Sequence, residues 1–339
     1  MRIGVKMCGV MCTCTLLAAP VFGQESGQPE TTTANPDQQS SGFGNISYTF
    51  KPYFAYQTSA GAADATGSVT TSRGGADLIG SFQANDRTFV TMLLSGEYVS
   101  YNFEEDAGLP SGQNPPLSAA QEVSAALLIN RVIDDEWMLT AGGFVNAAWE
   151  NGADFGDAVT GGGMMGLQYR FNRNLSLGAG LLVATQLEGN LRVLPVPLIE
   201  AHYDFDSQWS FSASTVEGAA LTFAPADQDV WRAKLGIGWD YTEYRLDDGD
   251  PRTIVVGGGI GPGMPTTVQG SAPDGVLSEL RVPLSLMLEW DMAPGWTAEA
   301  GVALNLVHEF DVEDLNGEHL ANQNFGLAPE FRIGVSGRF

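Results

Sequence analysis

The chain has 339 residues, 40 acidic against 16 basic side chains, a net charge of −24 and 42 glycines. Binding to a phosphate backbone depends on clustered Lys and Arg, and no such cluster occurs, which excludes nucleic acid as a partner. With 44% hydrophobic but only 17% charged residues the chain can bury a large apolar surface, and abundant Gly and aromatics fit neither a typical cytosolic enzyme nor a disordered acidic chain.

The first element predicted is an export signal over residues 1–23. Arg2 and Lys6 supply a basic start, residues 7–22 are apolar, and Val21 and Gly23 place small side chains at the −3 and −1 positions of a cleavage before Gln24. Cys8, Cys12 and Cys14 all lie in this removable stretch, so the exported chain is expected to hold neither a disulfide nor a Cys-bound metal. A lipid anchor would need a small-residue box before one of these cysteines, which the sequences GVMC and TC match poorly. Removing Arg2 and Lys6 leaves 14 basic residues against 40 acidic. Residues 24–44, rich in Gln, Ser, Thr and Pro, predict a flexible periplasmic tail.

From residue 45 onward the hydrophobic period is two, and the fold class predicted for residues 45–339 is all-β, a closed antiparallel transmembrane β-barrel of about fourteen strands, with twelve as the alternative. The strands fall near 45–56, 73–84, 87–101, 118–130, 136–149, 157–171, 174–186, 191–205, 208–215, 217–224, 229–246, 276–292, 296–312 and 324–339. Residues 207–225 fit either two short strands or one long one, and the even strand number of bacterial barrels favours two. Leu280, Val282, Leu284, Leu286, Leu288 and Trp290 predict a lipid-facing row, with Glu279, Arg281, Ser285, Glu289 and Asp291 on the opposite side. After the Ala293-Pro294-Gly295 turn, Trp296, Ala298, Ala300, Val302, Leu304 and Leu306 repeat the apolar row, which places His308 in it as well. Pro52, Pro195, Pro197, Pro283 and Pro329 each delete a ladder donor; bulges or rim positions absorb most, while Pro283 has no explanation at this level.

Alternation alone also suits a soluble sandwich, so three further features decide. Aromatics sit at the ends of the greasy faces, as in Trp137 and Trp149, Trp231 and Trp239, Trp290 and Trp296, and Tyr169 and Phe171, where a bilayer interface selects them. Connections alternate between tight turns and longer loops near 57–72, 102–117, 150–157, 247–275 and 313–323, the asymmetry of periplasmic turns and outer loops. The end of the chain alternates Phe325, Leu327, Phe331, Ile333, Val335 and terminal Phe339 with Glu330, Arg332, Ser336 and Arg338.

That ending, FRIGVSGRF, and the segment LTFAPADQDVWRAKLGIGWDYTEYRLDD resemble uncharacterised bacterial outer-membrane barrels, similar in general form to porins and other channel barrels. The resemblance implies a Gram-negative outer-membrane location with outer-membrane lipids and the barrel assembly machinery as partners. It transfers no catalytic residue.

Candidate chemistry is sparse, and no catalytic, cofactor-binding or metal site is predicted. His202, between Glu200 and Asp204 on one row, could serve as a base beside an orienting acid, but a wet lumen face is the preferred reading. His319 falls in a loop, and neither it nor His308 has a partner at ligand spacing. The string GGGMMG at 161–166 has no strand-then-helix unit behind it, so its glycines are kinks or room-makers rather than a dinucleotide site. The acidic runs DDGD at 247–250 and DVEDLNGE at 311–318 lack the register of a calcium loop and are solvated loops first.

The lumen-facing candidates are Glu200, His202, Asp204, Glu279, Arg281, Glu289, Asp291, Glu299, Glu330 and Arg332. The expected function is a passive channel or transporter for small solutes with a preference for cations, not an enzyme. Twelve inward acids, which include Asp77, Glu97, Glu122, Asp240 and Glu309, stand against seven inward bases, and a carboxylate surplus attracts cations. Inward folding of the 247–275 loop would instead point to a structural or surface-interaction barrel with a plugged lumen, and a serine near His202 to a membrane-interface hydrolase.

Overall fold

The computed structural model describes residues 46–105, 107–109, 117–215, 217–225, 230–247, 253–256, 268–271 and 275–339. The predicted signal peptide, the 24–44 tail and most of the 247–275 loop lie outside them. The period-two segments form β1 (Ile46–Gly61), β2 (Ser68–Asn85), β3 (Thr88–Glu104), β4 (Ala119–Val132), β5 (Trp137–Glu150), β6 (Val159–Asn172), β7 (Leu175–Thr185), β8 (Leu191–Asp204), β9 (Trp209–Ser214), β10 (Gly218–Phe223), β11 (Trp231–Ile237) and β12 (Asp240–Arg245). A separate hairpin joins β13 (Thr253–Val256) to β14 (Val268–Ser271), and β15 (Val276–Ala293), β16 (Trp296–Glu313), β17 (His319–Asn324) and β18 (Pro329–Arg338) complete the chain.

Sixteen of these strands share one sheet; β11 with β12, and β17 with β18, are each one stave interrupted once, so the wall is a closed antiparallel barrel of fourteen staves. Residues 207–225 do supply two short strands, β9 and β10. The barrel closes where β1 pairs with β18, and the terminal residue takes part: Phe339 N–H donates to Tyr48 O at 2.8 Å and Tyr48 N–H donates to Phe339 O at 3.0 Å. Both ends of the described chain and the short turns share one rim, here the turn end; the longer connections share the other, the loop end.

Leu286 and Leu288, 49% and 55% exposed, lie on the outer wall with Leu94, Val145, Met165, Leu181 and Ile333. Below this belt the rings of the turn end touch in series: Trp137 with Tyr169 at 4.9 Å, Tyr169 with Phe171 at 4.9 Å, Tyr203 with Phe205 at 5.0 Å, Trp209 with Phe223 at 4.8 Å, and Trp296 with Phe339 at 5.5 Å. An apolar band flanked by amphipathic rings is the surface a bilayer stabilises.

The prolines now have physical reasons. Pro52 stands in the stretch where the β1–β18 ladder skips two positions, between Phe50↔Gly337 and Tyr53↔Gly334. Pro329 opens β18. Pro283 lies at a bulge opposite Asn305, where β16 holds one extra residue, and beside the interruption between β11 and β12; its carbonyl accepts from Gly238 N–H at 3.2 Å. A strand that must break its ladder there tolerates the lost donor.

That bulge also corrects the placement of His308. Leu306 is the extra residue, so Leu306 and Val307 both face outward and every side chain beyond them changes faces. His308 and Phe310 turn into the interior, and Glu309, expected inward, turns out, where it accepts a hydrogen bond from the Asn322 amide. One inserted residue inverts a period-two pattern.

Candidate functional site

The interior divides into two halves of different chemistry. At the loop end the inward side chains form a dry core: Val69, Val99, Tyr101, Leu117, Tyr244, Leu246, Leu277, Phe310 and Val312 are buried against one another. Tyr101 packs edge-on to Phe310 at 5.8 Å, and Phe310 edge-on to Phe325 at 5.4 Å. Segment β12 reaches this core because the stave bends at Gly238 and Trp239, after which Arg245 makes a bridge to Trp149 of β5. Arg245 is held there by the carbonyls of Asp157 and Leu187, and Asp247 N–H donates to Glu150 Oε2 at 3.0 Å.

Beneath the dry core lies a buried ionic network centred on Glu279. Arg73 donates to it at 2.6 Å, the Tyr101 hydroxyl at 2.7 Å, and His308 Nε2 lies at 2.8 Å. The amide of Asn305 donates to Gln57 Oε1 at 2.9 Å and the Gln57 amide faces His308 Nδ1 at 3.3 Å, a chain that leaves the imidazole proton on Nε2, toward Glu279. Arg281 extends the network to Asp240 and to Glu330 at 3.3 Å, Glu330 also holds Arg332, and Arg73 reaches Glu97 at 3.0 Å. Buried charges persist only when paired and hydrogen-bonded, and here each carboxylate faces a guanidinium.

The candidates expected from sequence therefore separate. Glu279, Arg281, Glu330 and Arg332 are brought together in this network. Glu289 and Asp291 lie toward the turn end, both held by Arg232 at 3.0 and 3.3 Å. Glu299 is beside Gly334 on the next stave, where an added Cβ would stand 2.6 Å from its carboxylate. Glu200 is half-buried; His202 and Asp204 pair at 3.1 Å with 57% and 68% of their side chains exposed. Ser212 is the register partner of His202 across β8 and β9, yet among the described residues no hydrogen bond joins them.

Sequence reasoning missed Gln57, Arg73, Tyr101 and Asn305. Arg73 was legible: it shares the odd-numbered row with Asp77, which was assigned inward. The two amides and the tyrosine carry no signal that separates them from any wet wall position.

A third zone lines β4–β8. Leu128, Phe144, Met164, Leu182 and Val196 pack together on the inner face, with Leu194 and Leu198 against them. The glycine string makes room for this: a Cβ at Gly162 would meet the Phe144 ring at 2.7 Å, and one at Gly166 would meet Leu198 Cδ1 at 2.5 Å. The 311–318 run, expected to be a loop, divides: residues 311–313 end β16, and 314–318 form a self-capped turn in which Asp314 accepts from the N–H groups of Asn316 and Glu318 at 2.8 Å each. Those bonds hold its carboxyl below the usual carboxylate range.

No family model matches the chain, and no curated protein matches it. Among solved structures it is similar to an outer-membrane channel from Pseudomonas putida F1, at 11% identity over 90% of this chain and 100% of that one with a TM-score of 0.41. It is also similar to the P. putida toluene transporter TodX, at 11% identity over 87% and 90% with a TM-score of 0.39. The NanC porin matches at 12% identity over 85% and 98% with a TM-score of 0.32.

Proposed function

We propose that this chain is a passive outer-membrane channel for small solutes rather than an enzyme, with its turn end in the periplasm. The observation that carries this reading is the closed fourteen-stave wall with an apolar, aromatic-flanked outer surface and, in its turn-end half, inward rows that are ionisable and half-exposed. A barrel of about eight strands is filled by its own side chains and one of about sixteen or more leaves an aqueous channel, so fourteen lies toward the open end. Barrel channels are the kind of protein the similar structures are named for.

A cation preference is the finer part of the proposal. Of the twelve acids and seven bases expected, Glu309 leaves the inward rows, and Arg73 joins them, buried against Glu279. The network charges of Glu97, Asp240, Glu279 and Glu330 are held by Arg73, Arg281 and Arg332, so selectivity falls mainly to the turn-end half, where Asp77, Glu200, Asp204, Glu289, Asp291 and Glu299 face Lys51, Arg170, Arg232, Lys234 and Arg338. A surplus of one gives a weak preference, larger at low salt. The test is a reversal potential for the full chain in a planar bilayer under a salt gradient: a small cation-selective potential supports the charge argument, anion selectivity overturns it, and absence of conductance overturns the open channel. That last outcome favours a second reading, a plugged structural barrel, which the dry loop-end core already supports.

A further inference from the structure

One interior carboxylate stands outside the ion pairs described above. Glu122, on the inner row of β4, is the direct register partner of Glu97 on β3, and Asp240 of β12 is the next charge to reach it, while Arg73, turned to Glu279 and Glu97, acts on it least. Its hydrogen-bond donors are neutral: the Thr242 hydroxyl at 3.4 Å, and the Asn146 amide, which donates to Oε1 at 3.1 Å in the orientation that satisfies both ends of that amide. Five carboxylates, Glu97, Glu122, Asp240, Glu279 and Glu330, therefore meet three guanidiniums, Arg73, Arg281 and Arg332, and two negative charges are left over. Carboxylates directly opposite one another on neighbouring strands repel, more strongly the further they are from bulk water, and a bound cation relieves that repulsion.

The neighbours of Glu122 select the kind of cation. Ser124, next along the same inner row, is 7% exposed, and its hydroxyl has no hydrogen-bond partner among the described residues. A buried polar group left unpaired costs free energy until a partner reaches it. Among the described residues no group of three acidic or histidine side chains converges as metal ligands do, whereas an ammonium needs only one acceptor for each N–H. Two residues beyond Ser124 stands Ala126, which with Leu198 forms the half-buried edge of the apolar patch around Phe144 and Leu182. Four strand residues span about 13 Å, so a solute with its head at Glu122 can lay an apolar body on that edge. The polar end is reachable, since the Asp240 side chain is 39% exposed and Glu122 and Thr242 are half-buried.

We propose that this part of the lumen is a binding site for a primary ammonium solute with an apolar body. The head sits between Glu122, Glu97 and Asp240 and donates to the Ser124 hydroxyl; the body covers Ala126 and Leu198. A neutral solute would leave the facing carboxylates unrelieved, and an inorganic cation would leave the apolar edge uncovered. The inference rests on the channel reading, whose cation preference it narrows to one solute class, and the two can fail separately.

The test is titration calorimetry of the purified full chain in detergent, with protein-free micelles as the blank. The ligand is cyclohexylammonium; cyclohexanol has the same body without the charge, and methylammonium the head without the body. Cyclohexylammonium should bind at least about tenfold more tightly than either. Glu122→Gln keeps the shape of the side chain and should weaken binding about tenfold or more, and Ser124→Ala, which removes a hydroxyl that holds nothing in the fold, roughly threefold or more. If Glu122→Gln does not give the heat-shifted folded band, Ser124→Ala decides. Equal affinities for cyclohexylammonium and either comparator, or an undiminished affinity in the folded variant, overturn the site. Sodium conductance in a planar bilayer without binding of the amine overturns the site and leaves the channel standing, whereas binding without conductance supports the site and overturns the channel.

Discussion

The β1–β5 wall and the β8–β12 wall are built from the same alternation and differ in every other respect. From β1 to β5 the strands have 14 to 18 residues, the ladders run nearly their full length, and the only register shifts sit at rims. From β9 to β12 no strand exceeds seven residues, one stave bends into the lumen, and β8 carries two prolines on an unpaired edge. A closed ladder satisfies backbone groups in lipid without help from side chains. Where the ladder stops, the Thr215 hydroxyl and the Arg245 guanidinium satisfy the backbone instead, and Pro195 and Pro197 leave no donor to satisfy.

The two walls depend most heavily on the network that joins them. Glu279→Ala should destabilise the barrel by about 3–5 kcal/mol, because it leaves Arg73 and Arg281 buried without their shared carboxylate. Glu279→Gln should cost less, since it keeps hydrogen-bonding capacity. Guanidinium unfolding midpoints of the gel-shifted folded band measure both, and equal midpoints for Glu279→Ala and the unsubstituted chain would show the network to be solvated. Leu286→Arg, on the outer belt, should cost roughly 2–4 kcal/mol if the position lies near the midplane. The control is Glu309→Arg: it should be nearly neutral, since the bulge points that residue outward at the loop rim.

Next in size is the curl of β6–β8. Gly166→Val would drive a side chain into Leu198 and the Ala179 carbonyl, at an expected cost of about 1–3 kcal/mol. A thermal shift near zero would mean that this wall yields where the β1–β5 wall does not. Deleting Phe339 should lower the amount of assembled barrel at the surface, since it removes the closing pair of bonds with Tyr48 and the ring against Trp296; Phe339→Ala keeps the backbone bonds and should fall between. The smallest effect is at Asp314, where Asn should change stability by no more than about 0.5 kcal/mol. Because its carboxyl is held below the ordinary range, any contribution is complete above that range and fades as pH falls through the lowered value, so the two chains should converge in acid.

Alternation along β15 and the first half of β16, the aromatic rim, the short turns and the aromatic terminus were all legible in the sequence, because each is set by neighbours one or two residues away. The loop-end extensions of β1 and β2 were not. QTSAG and SVTTSR alternate too weakly in hydropathy to reveal strands that run to Gly61 and from Ser68. Tertiary structure alone decided the rest: one extra residue at Leu306 sends His308 inward, and a stave that breaks beside Pro283 brings Tyr244 to Tyr101 across the lumen. A bulge costs little locally but inverts every later side chain, and residues 143 positions apart, such as Tyr101 and Tyr244, meet only once the wall has closed.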